Sequence, residues 1–273
     1  MPSRGRLRAR ASWIASAAIL AIALATAACG ARRFVLPDGP GEPLADAVAE
    51  WSRASATCGG VRSFTAELRL SGRAAGTRLR GTIQAGFETP GRIRLEGLAP
   101  FGRPVFILAG DAVRATLLLP RDERVVQGAA ASEILDALAG VRLGADALRA
   151  VLTGCVLDAA TPISATQHGD IARFVFDAGE VYARRVDAGW RIVAGSVRPF
   201  RIEYVEQTGL WPRRVRISRD LPGGEGVDVV LDVAQIQTNV ALPPEAFRVD
   251  VPPGTLPMSV EQLRRAGPLG DDK

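Results

Sequence analysis

Residues 61–97, VRSFTAELRLSGRAAGTRLRGTIQAGFETPGRIRLEG, alternate apolar and polar side chains three times in succession. Phe64, Ala66, Leu68 and Leu70 are separated by Thr65, Glu67 and Arg69. Leu79, Ile83, Ala85 and Phe87 stand among Arg78, Arg80, Thr82, Gln84 and Glu88, and Ile93 and Leu95 among Arg92, Arg94 and Glu96. Successive side chains of a strand point to opposite faces, so each segment has one apolar and one wet face. The spacing predicts strands over Val61–Gly72, Thr77–Glu88 and Arg92–Gly97, joined as an antiparallel meander.

Working outward, Pro100–Pro104 is a proline-bracketed loop, and short strands are expected at Val105–Ala109, Val113–Leu119 and Arg124–Gln127. The period then becomes helical. Ser132 is placed to cap a helix carrying Ile134, Leu135 and Leu138, and a second helix carries Ala147, Leu148, Val151 and Leu152 and ends at Gly154. Strand periodicity resumes at Ile171–Asp177, Glu180–Val186, Trp190–Val197, Phe200–Glu206, Arg213–Arg219 and Val227–Gln237, with a last short strand near Phe247–Val249. Upstream, Leu44, Ala47, Val48, Trp51 and Ala54 predict a helix over Pro43–Thr57. The expected class is mainly β (α+β): a curved antiparallel sheet of about eleven strands, one N-terminal helix and one inserted helix pair. A sheet this wide must cover its apolar face, either by closing on a packed core or by curling around a cavity that the helices plug.

Ahead of this domain, Arg4, Arg6, Arg8 and Arg10 precede the apolar run Ser12–Gly30, SWIASAAILAIALATAACG, which reads as an export signal. Cys29 follows Thr26-Ala27-Ala28 as in a lipobox, although Thr26 stands where leucine is usual. Acylation of Cys29, ordinary cleavage near Ala28 and an uncleaved anchor are the three readings, with acylation preferred. The chain therefore divides into a signal peptide (1–28), a lipidated cysteine with a flexible Gly/Pro-rich tether (29–42), the β domain (43–254) and a partly disordered C-terminal extension (255–273). Gly30 follows the cysteine where an aspartate would signal inner-membrane retention in enteric bacteria, so the periplasmic face of the outer membrane is expected.

The net charge of +5 over 273 residues is misleading. Four of the 34 basic side chains lie in the signal, so from Cys29 onward 30 basic residues face 29 acidic ones. All basic residues but Lys273 are arginine, with no ladder of aromatic and basic residues, so no nucleic-acid partner is expected. Cys58 and Cys155 remain after Cys29; an even pair in an exported chain predicts a disulfide, the alternative being two buried thiols. The chain lacks a P-loop, a dinucleotide fingerprint, C-x-x-C, H-E-x-x-H and G-x-S-x-G. Its one histidine, His168, falls at a polar turn, and Asp228 and Asp232 read as solvent-facing charges. The expectation is a non-enzymatic protein with no cofactor and no metal.

The order of motifs carries a resemblance. RLEGLAPFGRPVFILAGDAVRATLLLPRDERVV (Arg94–Val126) followed by EILDALAGVRLGADALRAVLTG (Glu133–Gly154) resembles the middle of the outer-membrane lipoprotein receptor LolB. TNVALPPEAFRVDVPPG (Thr238–Gly254) resembles the closing segment of the wider LolA/LolB-like carriers. The resemblance implies an incomplete β-barrel whose cavity takes lipoprotein acyl chains, received from a soluble LolA-type shuttle and released into the membrane by a monomer held there through its lipid anchor. On this reading Leu68, Leu79, Ile83, Phe87, Ile93, Leu95 and Phe106 line the cavity, and Ile134, Leu138, Leu148 and Leu152 face them from a two-helix lid. Leu98 and Phe101 match the loop that projects toward the membrane, Phe101 having a second reading as a plug at the barrel edge. A sensing module and a structural lipoprotein on the same fold are the alternatives.

Overall fold

The computed structural model describes residues 34–267 apart from 36, 100–102, 188 and 221–225. Cys29, Phe101 and the glycine turn at 223–224 lie outside the described residues. The described elements form one 15-stranded sheet and four α-helices.

In chain order these are β1 (Glu42–Pro43), α1 (Ala47–Ala54), β2 (Ser63–Ala74), β3 (Thr77–Glu88), β4 (Arg92–Leu98), β5 (Pro104–Gly110), β6 (Ala115–Leu119) and β7 (Arg124–Ala129). Helices α2 (Ala131–Ala139) and α3 (Ala145–Leu152) follow. Then come β8 (Ser164–His168), β9 (Ile171–Phe176), β10 (Gly179–Val186), β11 (Gly189–Val197), β12 (Phe200–Thr208), β13 (Trp211–Arg219) and β14 (Val227–Thr238). A 3-10 turn (Pro244–Phe247), β15 (Leu256–Pro257) and α4 (Val260–Ala266) close the chain.

The sheet consists of two antiparallel meanders, β2–β7 and β8–β14, zipped together where β14 pairs with β2. That pairing leaves β7 near one edge and β8 near the other, and the sheet is not closed. The connection from β7 to β8 must therefore cross the whole width of the sheet. This path lays α2 against β5 and β6, and α3 against β3, β4 and β13. The predicted alternation sets which face they cover. Phe64, Ala66 and Leu68 of β2, Leu79, Ala85 and Phe87 of β3, and Ile93 and Leu95 of β4 are buried on this face, in one cluster with residues of the helices. Phe64 pairs with Phe87 across the strands, ring centroids 6.3 Å apart.

Several expectations are corrected. Fifteen strands replace about eleven, because β1 and β15 have only two residues each and β8 (SATQH) lacks apolar alternation. The helix expected over Pro43–Thr57 spans Ala47–Ala54: Pro43 pairs with Thr166 in the sheet, and Asp46 caps the helix by accepting the N–H of Ala49. Ser132 is not a cap; α2 starts at Ala131 with Ala130 before it and no side-chain cap. The strand expected near Phe247–Val249 is a 3-10 turn opened by Pro243-Pro244, where a ring nitrogen offers no N–H to a ladder.

The segment read as a tether is docked at Phe34 and again at Glu42, which pairs with Gln167 in the sheet. Phe34 packs on Tyr182 with ring centroids 5.5 Å apart, and the Arg201 guanidinium donates to its carbonyl, so its ring is not left in water. The domain does not end at residue 254 either. β15 adds in parallel to β7, and α4, started by a Ser259/Gln262 capping box, packs on α2 and buries Leu263 in the common core. No helix among the described residues is long and apolar enough to cross a membrane.

Candidate functional site

The helix-bearing face of the sheet and the helix pair share a single apolar cluster. Leu68, Leu79, Phe87, Ile93 and Leu95 are buried in it, and Ile83 and Phe106 pack against it half-buried. Ile134, Leu138, Leu148 and Leu152 enter the same cluster from the helices. Phe106 lies across Gly97 of β4, where even a Cβ would collide with the ring, so this glycine makes the room for that phenyl group. Leu98, at the end of β4, is half-buried.

The two helices are fastened differently. The Cys58–Cys155 disulfide ties the end of α3 to the segment after α1, with the Cα atoms 5.5 Å apart. Asp146 in the first turn of α3 accepts the Gly91 N–H at 3.0 Å, and the buried Arg149 donates to the Val61 carbonyl at 3.1 Å. Helix α2 has no side-chain N-cap; it ends at Gly140, whose φ of 65° suits a residue without a Cβ. Its partner is α4, through Leu263 and an Arg264–Asp136 pair at 3.1 Å. Arg149, Leu263 and Arg264 were not foreseen as positioning residues. The Ser259-x-x-Gln262 signature was the available signal for α4.

Polar atoms are few in this layer. Trp190 Nε1 donates to Glu50 at 2.7 Å, whereas the Trp51 Nε1 and Tyr204 hydroxyl groups are buried with no hydrogen-bond partner among the described residues. Burial drives the Tyr204 phenol far above its ordinary pKa. Asp158 lies with Cys58 and Cys155 in a group whose potential ligand atoms are all within 4.8 Å, but the two sulfurs are bonded to each other and offer no thiolate. Burial raises the Asp158 pKa, with the nearby Arg149 charge opposing it. His168 ends β8 and shares a 3.1 Å hydrogen bond with Thr166 rather than meeting an acid or a nucleophile. Asp228 and Asp232 are paired on the opposite sheet face, with Arg216 at 2.6 Å and Arg214 at 2.5 Å.

A dry cavity was expected under the helices. The two cavities described here lie on the other face, beside a strap formed by residues 239–249. One of about 290 Å³ is lined by Thr65, Glu67, Gln84, Gln235, Gln237 and Leu242, among others. The second, of about 420 Å³, is lined among others by Arg92, Arg114, Thr116 and Arg248. Phe247 borders both. Arg94 holds the strap by donating to the carbonyls of Ala246 at 2.7 Å and Arg248 at 3.1 Å, and Ser63 donates to Val240 at 2.6 Å.

One unclosed, mostly antiparallel sheet with a helix pair crossing one face is a LolA/LolB-like fold. Among solved structures, a LolA superfamily protein from Nitrosomonas europaea matches with a TM-score of 0.50 at 12% identity, covering 75% of this chain and 98% of that one. A DUF1329 family protein from Desulfovibrio piger matches with a TM-score of 0.45 at 12% identity over 76% and 98% of the two chains. The Mycobacterium tuberculosis lipoprotein LppX matches at 0.31 and 12% identity over 72% and 98%. No family model and no curated protein matches the sequence. At such identities the likeness speaks to the fold alone.

Proposed function

We propose that this chain is an envelope lipoprotein that carries the acyl chains of other lipoproteins between the sheet and the α2–α3 pair. The observation that supports it is the shared cluster: short helices whose leucines lie on an apolar sheet face occupy a layer that an acyl chain can take over. Moving a dozen methylenes out of water contributes roughly 10 kcal/mol before ordering costs. Displaced helical leucines offset part of this, so release to an acceptor membrane needs only a difference in affinity. The fastenings favour one movement in this reading: α3 is held by a covalent bond and α2 by its contacts with α4, so α2 with α4 is the part that opens.

In this reading Cys29 carries the lipid anchor, a soluble LolA-type shuttle delivers the cargo, and the loop from Leu98 to Phe101 touches the outer membrane. Intact mass of the membrane-extracted chain tests the first point, and acyl-chain adducts on residue 29 are expected. Phe101→Glu is expected to keep acyl binding and slow transfer to liposomes; transfer at the wild-type rate would remove the membrane role. A structural lipoprotein is the second reading, favoured by the helical leucines that already pack into the sheet's own apolar cluster. Saturable binding of a fluorescent fatty acid to the purified full chain separates the two, since the filled structural form would bind none.

A further inference from the structure

Three arginines from separate elements line the larger outer cleft. Arg92 belongs to β4, Arg114 to the β5–β6 turn, and Arg248 to the strap just after the 3-10 turn. The fold holds them together: β4 pairs with β5, and Arg94 of β4 clamps the strap at the carbonyls of Ala246 and Arg248. The Arg92 guanidinium is itself oriented, lying 5.6 Å from the centre of the Phe247 ring and 3.3 Å from Glu88. Like charges gathered this way repel in proportion to the positive charge left over once nearby carboxylates are counted.

The carboxylates present leave that charge incompletely balanced. Asp111 lines the cleft and its carboxylate faces the charges of Arg114 and Arg92, and Glu88 pairs with Arg92, so three guanidinium groups meet two carboxylates. The guanidinium of Arg248 has no hydrogen-bond or ion-pair partner among the described residues. The neighbouring cavity, in contrast, is lined by glutamines and a threonine, and its Arg94 is neutralised by Glu96. Positive charge is therefore concentrated on one side of Phe247. Planar guanidinium forks match the oxygens of phosphate, and the Thr116 hydroxyl adds a neutral donor in the same cleft. A volume of about 420 Å³ suits one phosphate group with its substituent.

We infer that this cleft is a phosphate-ester site, separate from the acyl layer and on the opposite face of the sheet, with Arg114 and Arg248 as its principal ligands and Arg92 as an oriented third. Two sources present this chemistry, a phospholipid headgroup and a small soluble phosphate ester. The test titrates the purified full chain by calorimetry with glycerol 3-phosphate and, separately, with dihexanoyl-phosphatidylglycerol at constant ionic strength. Saturable binding is expected, weakened about tenfold by Arg114→Gln or Arg248→Gln. Both side chains are exposed, and the backbone N–H of residue 114 survives the change, so folding is preserved. Tighter binding of the lipid assigns the site to headgroups, and tighter binding of glycerol 3-phosphate assigns it to a soluble ester; either supports the site. Absence of saturation with both ligands, or binding that neither variant weakens, overturns it.

Discussion

Cys58 and Cys155 are bonded to each other across 97 positions of sequence, and the bond fixes the exit of α3 to the chain just after α1. It leaves α2, earlier on the same crossing connection, held by noncovalent contacts: its packing and the Arg264–Asp136 pair. The helix pair thus has a fixed half and a releasable half, and the consequences of each can be measured.

Replacing both cysteines by serine should lower stability by up to about 4–5 kcal/mol, as expected for opening a loop of this length in the unfolded chain. Thermal unfolding followed by circular dichroism should show a midpoint lower by on the order of 10 °C. An unchanged midpoint would mean that α3 is held without the bridge.

Asp158 gives the domain a pH signature. Burial holds its native pKa above 3.8, so the folded chain retains the proton more firmly than the unfolded one. Its contribution to stability therefore falls as the pH rises from 3.8 through the native value, and stays low above it. Asp158→Asn should remove this slope from denaturant midpoints measured across the acidic range; an identical slope in the variant would place the effect elsewhere.

Tyr204 keeps a buried hydroxyl without a partner among the described residues. Tyr204→Phe removes the desolvation cost and keeps the ring, so stability should hold or rise by about 1 kcal/mol. Tyr204→Ala should instead lose roughly 3–5 kcal/mol by leaving a cavity. Urea unfolding of the two variants checks both, and a clear loss in Tyr204→Phe would show that the hydroxyl is hydrogen-bonded in solution.

Leu263 is the buried residue of α4, which packs on α2. Leu263→Ala should cost roughly 2–5 kcal/mol and, by loosening α2, speed the uptake of a fluorescent fatty acid. Stopped-flow mixing reads the second effect. Uptake no faster than wild type would mean that α2 is not the moving helix.

Much of the central sheet was legible because β2, β3 and β4 each bury one face and wet the other. Phe64, Leu68, Ile93 and Leu95 fall inward by parity alone. The edges were not: two-residue strands have no period, and β8 alternates nothing apolar. Pro243-Pro244 excluded a ladder strand before Phe247, a cue outweighed by the β-forming residues after it. The outer clefts depend on Arg94 meeting carbonyls 152 and 154 positions away, a relation no local pattern encodes. Phe34 was hidden for the same reason, since its place is set by Tyr182 and Arg201 of distant strands.

The central claim is that an acyl chain occupies the layer between the sheet and α2–α3. Photolabelling the full chain with a diazirine-bearing palmitate and mapping the adducts by peptide mass spectrometry tests it directly. The account predicts saturable labelling on residues of that layer, Leu68, Ile93, Leu138 and Leu148 among them, competed by unlabelled palmitate. Labelling confined to the opposite sheet face, or none that palmitate competes, would contradict it.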